Sequence, residues 1–513
     1  MRTIFVLFDS LNRSALGAYG GTEVATPNFD RFAALGVAFD THYVGSMPCM
    51  PARRDLHTGR LNFMHRSWGP MEPYDRSFVR QLSQAGVHTH LVSDHLHYFE
   101  DGGHGFHTKF DSYDFIRGQE YDPWVALVQP PVERIRSQFD PRHYNTETPD
   151  KHLQHAINRQ RMEEEEQMPG PRCFASAFRF LDDNRTADDW FLMLECFDPH
   201  EPFHAPERFK DTYRTGYEGR ILDWPHYERV AESPEEIDEI RANYAALVAM
   251  CDEYFGRLLD YLDTHGMWED TCLVLGTDHG FLLSEHGWWG KARMPYYEEI
   301  SHIPLVVHHP AHTAQAGTRR DALTQTTDLM PTFLEVHGLD VPGEARATSL
   351  WRVVEDPKAR PRDAAVFGVF SGPIGVTDGQ HVLYHYPPDI FSEGLVEYTL
   401  APNHMTEPFT PEELRTARLA PAFDFTQGIP LLAIDATAEA KRPPNNDGIG
   451  FDDLGTRLYD LVADPAQQNP IRDDDIQSRL EAAMIADLQR HDTPEEFYRW
   501  YGLHHRSSEG RIP

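Results

Sequence analysis

The sequence has no apolar run long enough to cross a membrane, no CxxC pair, no internal repeat and too little positive charge to balance its acids. The opening run from Met1 to Phe8 is a strand's length and meets a carboxylate at Asp9, so it reads as neither a secretory signal nor a membrane span; a cytoplasmic protein with no membrane partner is expected. Five cysteines without metal-site spacing exclude a zinc-ribbon or disulfide scaffold. Four of them, Cys173, Cys196, Cys251 and Cys272, read as small buried apolar residues, and Cys49 stands apart. Against 81 Asp and Glu there are only 47 Lys and Arg, a net charge of −34. That field repels nucleic acid and anionic surfaces, so a small anion must be held by a local pocket with its own Arg, Lys, His or metal. The lack of a repeat excludes solenoids and propellers.

What is present is a chain of 513 residues, 40% hydrophobic, long enough for a large core and a second, smaller unit. Short apolar runs at 3–8, Thr89–Ser93, Trp190–Cys196, Thr271–Gly276 and Leu305–Val307 read as buried strands. Helical patterns lie between them, at Ser77–Gln84, Ile237–His265 and Asp328–Val336. Strand and helix in alternation predict an α/β fold, a large mostly parallel sheet flanked by helices, with chemistry beyond the strands' carboxyl ends. Beyond about residue 360 the runs Val366–Phe370, Ile374–Thr377, His381–Tyr386 and Thr456–Val462, with a helix near Ile476–Gln489, predict a smaller antiparallel α+β domain. The division is therefore a catalytic domain over 1–360 and a C-terminal subdomain over 361–513. Pro130–Gly170, with four successive glutamates at 163–166, reads as a surface excursion, and Pro387–Gly455 as a long Pro-rich loop. The aromatic segment Phe497–Tyr501 suits docking on the body or on another subunit of a homo-oligomer.

Several segments carry chemistry. Two predicted strands run straight into carboxylates: Phe8 into Asp9-Ser10, and Gly276 into Thr277-Asp278-His279-Gly280. A third segment reads Cys49-Met50-Pro51-Ala52-Arg53, followed by Thr58-Gly59-Arg60. Asp198-Pro199-His200, Gly290-Lys291, His302-Ile303-Pro304 and Thr456-Arg457-Leu458-Tyr459-Asp460 complete the set. In this order, and over nearly the whole chain, these segments resemble the type I sulfatases of the alkaline phosphatase superfamily, whose Cys-x-Pro-x-Arg signature is read by a formylglycine-generating enzyme.

The resemblance implies a sulfatase acting on a small-molecule sulfate ester, with Cys49 oxidised to formylglycine as nucleophile. It makes Asp9 and Asp278 ligands of one divalent metal ion, with His279 where Asn is common and Ser10 where a second Asp is common. Carboxylates suit Ca²⁺ or Mg²⁺, and an imidazole among them shifts the preference towards Mn²⁺ or Zn²⁺. A hydrated aldehyde on such an ion ionises near neutral pH, and its second hydroxyl expels sulfate by re-forming the aldehyde. Arg53 offers a guanidinium fork for the nucleophile and the sulfate oxygens. Lys291 and His200 are expected to bind the transferred group and protonate the leaving oxygen. The family's lysine-bearing Gly-Lys-Trp-His stretch is not recognisable in Leu91–Tyr98, so His95 or His97 is the expected substitute for a sulfate-binding lysine, with His65 a further substrate-binding candidate. The Asp278-His279 pair leaves a phosphonate monoester hydrolase or phosphodiesterase as the alternative, and a non-catalytic binder of sulfated ligands as a third reading.

Overall fold

The computed structural model describes residues 1–145, 151–291, 295–436 and 455–503. Its main sheet has eight strands: β1 (Arg2–Phe8), β2 (Val37–Phe39), β3 (His88–Ser93), β4 (Ser112–Phe115), β5 (Trp190–Cys196), β6 (Thr271–Gly276), β7 (Leu305–His308) and β8 (Thr318–Arg320), in the order β8-β2-β7-β6-β1-β5-β3-β4. Only β7 runs against its neighbours. Every residue of β1, β5 and β6 is buried. Apart from Glu195 in β5 and polar residues at the strand starts, their runs are apolar, which fits central strands covered on both faces.

Helices α1 (Pro27–Leu35), α2 (Cys49–Thr58), α3 (Phe78–Gln84), α4 (Val132–Gln138), α5 (Lys151–Asn158), α6 (Pro169–Asp183), α7 (Pro234–His265) and α8 (Leu329–Val336) accompany the sheet. Phe32 of α1, Phe174 of α6 and Phe255 of α7 join one core with Ile4, Val6 and Phe8. Met50 of α2, Phe78 of α3 and Phe333 of α8 join the other with Phe5 and Leu7. The alternation of β1 thus feeds both layers. Helix α7 begins at Pro234, three residues earlier than the apolar period suggests, because Ser233 and Glu236 form a capping box and proline is tolerated in the first turn; Gly266 in the left-handed region ends it.

The C-terminal part holds β9 (Ala365–Gly368), β10 (Ile374–Thr377), β11 (His381–His385), β12 (Val396–Thr399), β13 (Arg418–Ala420), β14 (Leu431–Asp435) and β15 (Arg457–Asp460). These make two antiparallel sheets, β9-β10-β11-β15 and β12-β14-β13. Leu480, Met484 and Leu488 of α9 (Asp474–Arg490) close the first, and Phe497 and Tyr501, in and after α10 (Glu495–Trp500), are fully buried in the same core. The aromatic segment therefore docks on the body. That core also takes in Tyr43, Met47 and Phe63, so the C-terminal sheet is built onto the segments around α2.

Two expectations are corrected. Pro387–Gly455 is not simply a loop, since it contributes β12, β13 and β14; the buried Glu397, whose Oε2 accepts from Ser67, breaks the apolar pattern of β12 and hides it from a sequence reading. Residues 437–454 of that stretch lie outside the described ones. Likewise Pro130–Gly170 is more than a surface excursion: α4 and α5 close a small core of Ile135, Tyr144, Leu153 and Trp224. Among the described residues no helix is long and apolar enough to cross a membrane.

Candidate active site

β1 and β6 are adjacent and parallel, so Asp9 and Asp278, one and two residues beyond their carboxyl ends, emerge side by side. Cys49 opens α2, which points its unpaired N-terminal amides and positive dipole end at the same place. Arg53, one turn on, shares the face of Cys49 and donates from Nη1 to the Cys49 carbonyl at 3.1 Å. Gly59, with φ of 66°, stops the helix. Asp55 fixes the loop before it, accepting from Ser46 N at 2.5 Å, Ser46 Oγ at 2.9 Å and Asn62 Nδ2 at 2.6 Å.

Around Cys49 the groups converge closely. Lys291 Nζ lies 3.4 Å from Cys49 Sγ, 3.3 Å from Ser10 Oγ and 3.6 Å from Asp9 Oδ1. His279 Nε2 also lies 3.4 Å from Sγ, while His279 Nδ1 donates to the Gly280 carbonyl at 3.1 Å, which leaves Nε2 as the lone-pair nitrogen facing the site. Ser10 has φ of 60°, a left-handed conformation unfavourable for a residue with a Cβ, held by Tyr244 donating to its carbonyl at 2.9 Å and by its own amide donating to Asp278. Its carbonyl is thereby turned away, and its hydroxyl donates to Asp9 Oδ1 at 2.8 Å inside the site.

Arg53 departs from expectation. Its donors go to Asp9 at 2.8 Å, to Glu195 at 2.6 and 2.8 Å and to Asp278, not to the Cys49 side chain. Three carboxylates outcompete a neutral thiol for one guanidinium. The sequence signal for Glu195 is a lone acid inside the apolar run of β5. Burial opposes ionisation of Asp9, yet Lys291, Arg53 and the His95 contact hold its carboxyl well below the usual range. Burial and the charge of Asp9 push the Cys49 thiol up, so the unmodified cysteine is a poor nucleophile here.

His95 is wholly buried with its Nε2 3.4 Å from Asp9 Oδ2, and among the described residues neither ring nitrogen makes a further hydrogen bond. His97 bonds Glu100 through Nδ1 at 2.5 Å and reaches Glu120 with Nε2 at 3.4 Å. His200 donates from Nδ1 to the Glu201 carbonyl at 2.5 Å; burial and Lys291 keep its ring neutral, well below the ordinary histidine range. His65 is not brought to the site: Nε2 bonds the Asp492 carbonyl at 3.0 Å and the ring packs on Phe423 and Phe425. Asp94 also faces away, tied to Phe197 N and, through Gln119, to Asp198. In the Thr58-Gly59-Arg60 segment, Thr58 bonds the Arg54 carbonyl and Arg60 lies over Phe425, so this stretch serves packing.

Cys49, His200 and Lys291 open into a cavity of about 470 Å³, a size suited to a small organic ligand. The stretch from 112 to 171 supplies Glu120, Tyr121, Lys151 and His152 to its wall, and the C-terminal part supplies Met405 and Thr406. Glu201, Trp224 and Tyr227 complete the outer half. None of these was singled out from the sequence.

A largely parallel sheet that sets two strand-end carboxylates beside a helix-borne cysteine is the architecture of an ester hydrolase of the alkaline phosphatase type. The sulfatase family model matches residues 2–339, and the chain belongs to that family of sulfuric ester hydrolases. It is 25% identical over 468 residues to an N-acetylglucosamine-6-O-sulfatase of Bacteroides thetaiotaomicron, covering 79% of this chain and 82% of the relative. A solved sulfatase-fold structure, described as in complex with its substrate D-glucosamine-2-N,6-O-disulfate, superposes with a TM-score of 0.65 at 19% identity, covering 97% of this chain and 99% of that one. The phosphonate monoester hydrolase of Agrobacterium radiobacter superposes with a TM-score of 0.63 at 18% identity, covering 96% and 95%.

Proposed function

We propose that this chain hydrolyses sulfate esters through a formylglycine made from Cys49, with a divalent metal ion held by Asp9, Asp278 and His279. The observation that carries the proposal is the convergence on Cys49 Sγ of Lys291 Nζ and His279 Nε2, each at 3.4 Å, where Cys49 and Lys291 line the cavity. The donor set fits a cation: ligand atoms of Asp9, Cys49, Asp278 and His279 all lie within 4.8 Å of one another, and Asp9, Glu195 and Asp278 bring three carboxylates to a place where Arg53 and Lys291 supply two positive charges. Two carboxylates suit Ca²⁺ or Mg²⁺, and the imidazole nitrogen shifts the preference towards Mn²⁺. The ion would lower the pKa of a hydroxyl at position 49 and offset charge on a sulfate oxygen.

The chain's own residues do the rest. Lys291, held charged by its acidic neighbours although burial opposes this, is placed to bind an ester oxygen. His95, buried with Nε2 3.4 Å from Asp9 Oδ2, offers a second donor where the family has a lysine. His200 has committed Nδ1 to a carbonyl and presents Nε2 to the cavity. An incoming sulfate offsets the charge of Lys291, which lets Nε2 take up a proton and pass it to the leaving oxygen.

The test is turnover of matched aryl sulfate and aryl phosphonate esters by Cys49-oxidised, metal-loaded protein, with Cys49→Ala as control. The proposal expects sulfate turnover lost in the variant. Preferential phosphonate turnover would favour the second reading, which rests on the Asp278-His279 pair and on histidine in place of the lysine.

A further inference from the structure

Glu201 has no task in the reaction as derived, yet it meets the group placed to protonate the leaving oxygen. His200 Nδ1 donates to the Glu201 carbonyl at 2.5 Å and lies 3.1 Å from Oε2 of the same residue, so one N–H faces a main-chain and a carboxylate oxygen. The other carboxylate oxygen, Oε1, accepts from the Tyr227 hydroxyl at 2.5 Å. Tyr227 is itself held: its ring meets that of Phe281 edge to face at 5.8 Å, and it lies so close to Gly290 that a Cβ there would come within 2.7 Å of it. The His200 ring lies 3.9 Å from that of Phe197, centroid to centroid. An oxygen of Glu120 also lies within 4.8 Å of a His200 ring nitrogen, but its Oε2 faces His97 Nε2 at 3.4 Å.

The main-chain carbonyl settles only which ring nitrogen carries the proton. It does little for the cation that His200 must become before Nε2 can give a proton to the leaving oxygen, and burial and Lys291 both oppose that cation. A carboxylate beside Nδ1 supplies the counter-charge, because a hydrogen bond between ionised partners strengthens as the ring takes up its proton. The Nδ1–H stays on the ring throughout, and only the Nε2 proton moves. Burial pushes the Glu201 carboxyl up to about 7, while Lys291 and the Tyr227 hydroxyl favour its ionised form. Tyr227 thus does for Glu201 what Glu201 does for His200.

We infer that Glu201, oriented by Tyr227, is a positioning residue of this reaction: it fixes the His200 ring and stabilises the protonated form that delivers a proton to the leaving alcohol oxygen. The inference rests on the sulfatase reading above, in which His200 is the acid. It makes Glu201 matter in proportion to the leaving group's need for a proton. An alkoxide depends on that proton, whereas 4-nitrophenolate, stable as an anion, hardly does.

The experiment compares Glu201→Gln, Glu201→Asp and Tyr227→Phe with the parent, all metal-loaded and Cys49-oxidised, on an alkyl sulfate and on 4-nitrophenyl sulfate. Glu201→Gln is expected to lower kcat by about 10- to 100-fold for the alkyl ester and by less than about threefold for the aryl ester, with KM little changed for either. Tyr227→Phe should show the same pattern at smaller size, and Glu201→Asp should keep more of the alkyl rate than Glu201→Gln. Should Glu201→Gln fail to fold, Tyr227→Phe carries the comparison. A second readout needs no turnover: the His200 Nδ1–H proton, identified by NMR as the resonance lost in His200→Gln, should move upfield in Glu201→Gln as its charged acceptor is removed. Equal losses on both esters, a change confined to KM, or an unmoved proton resonance would overturn the inference. If the parent turns over neither sulfate ester, the sulfatase reading itself falls, and the proton resonance alone decides whether Glu201 holds His200.

Discussion

The closed end of the cleft and its outer half treat buried charge in opposite ways. At the closed end Asp9, Glu195 and Asp278 share the donors of one arginine, and Lys291 stands over Cys49, Ser10 and Asp9. In the outer half, Glu120 Oε2 lies 3.4 Å from His97 Nε2 and Glu201 Oε2 lies 3.1 Å from His200 Nδ1. The first arrangement is a preorganised field that needs no substrate to exist, as electrostatic stabilisation of a transition state requires. The second sets each acid against an imidazole ring instead of a guanidinium.

The contrast can be broken from either side. Cys49→Ala at the closed end should reduce turnover by about 10⁴-fold or more without unfolding the chain, since it removes the attacking group; circular dichroism beside the rate checks both. Arg53→Met should act on the fold as well, because it strands three buried carboxylates, and breaking such a cluster costs about 3–5 kcal/mol; a denaturant midpoint well below that of the parent is expected. His200→Ala should lower kcat by about 10²- to 10⁴-fold, less for a good aryl leaving group than for an alkyl one that needs its proton. Stripping metal with a chelator should lower the melting temperature, and adding Mn²⁺ or Ca²⁺ should restore it, by about 2.7 kcal/mol of stability at a hundredfold excess over Kd.

The smallest effect concerns the pair behind the two halves. Asp94 and Asp198 share Gln119, and burial, with their mutual repulsion adding to it at Asp94, raises their pKa values to about 8 and about 7. A carboxyl whose folded pKa lies above its unfolded value near 3.8 lends stability that is fully present below that value and is lost as pH rises through 7 to 8. Asp94→Asn, with the Gln119 amide flipped so that its oxygen accepts from the new side-chain amide, should therefore gain in melting temperature over the parent as pH rises from 5 to 8. A constant difference would mean that Asp94 is ionised throughout.

The same division explains what could be read in the sequence. Asp9, Asp278, Cys49 and Arg53 sit at the ends of unbroken apolar strands or on one helical turn, where local pattern and spacing fix position. Parallel strands β1, β5 and β6 and the long helix α7 were legible for that reason. Glu120, Lys151 and Met405 reach the cavity from stretches without periodicity, brought together only by the small core around Trp224 and by β12–β14. His65 shows the converse: nearness in sequence to Cys49 suggested a role, but α2 carries the chain a full helix length away and buries the ring under Phe425.

The most direct measurement is the mass of the tryptic peptide that contains Cys49 and ends at Arg53, from protein made together with a formylglycine-generating enzyme. The account predicts a loss of about 18 Da, the change from thiol to aldehyde. A peptide that keeps its thiol in protein that still turns over sulfate esters would contradict it.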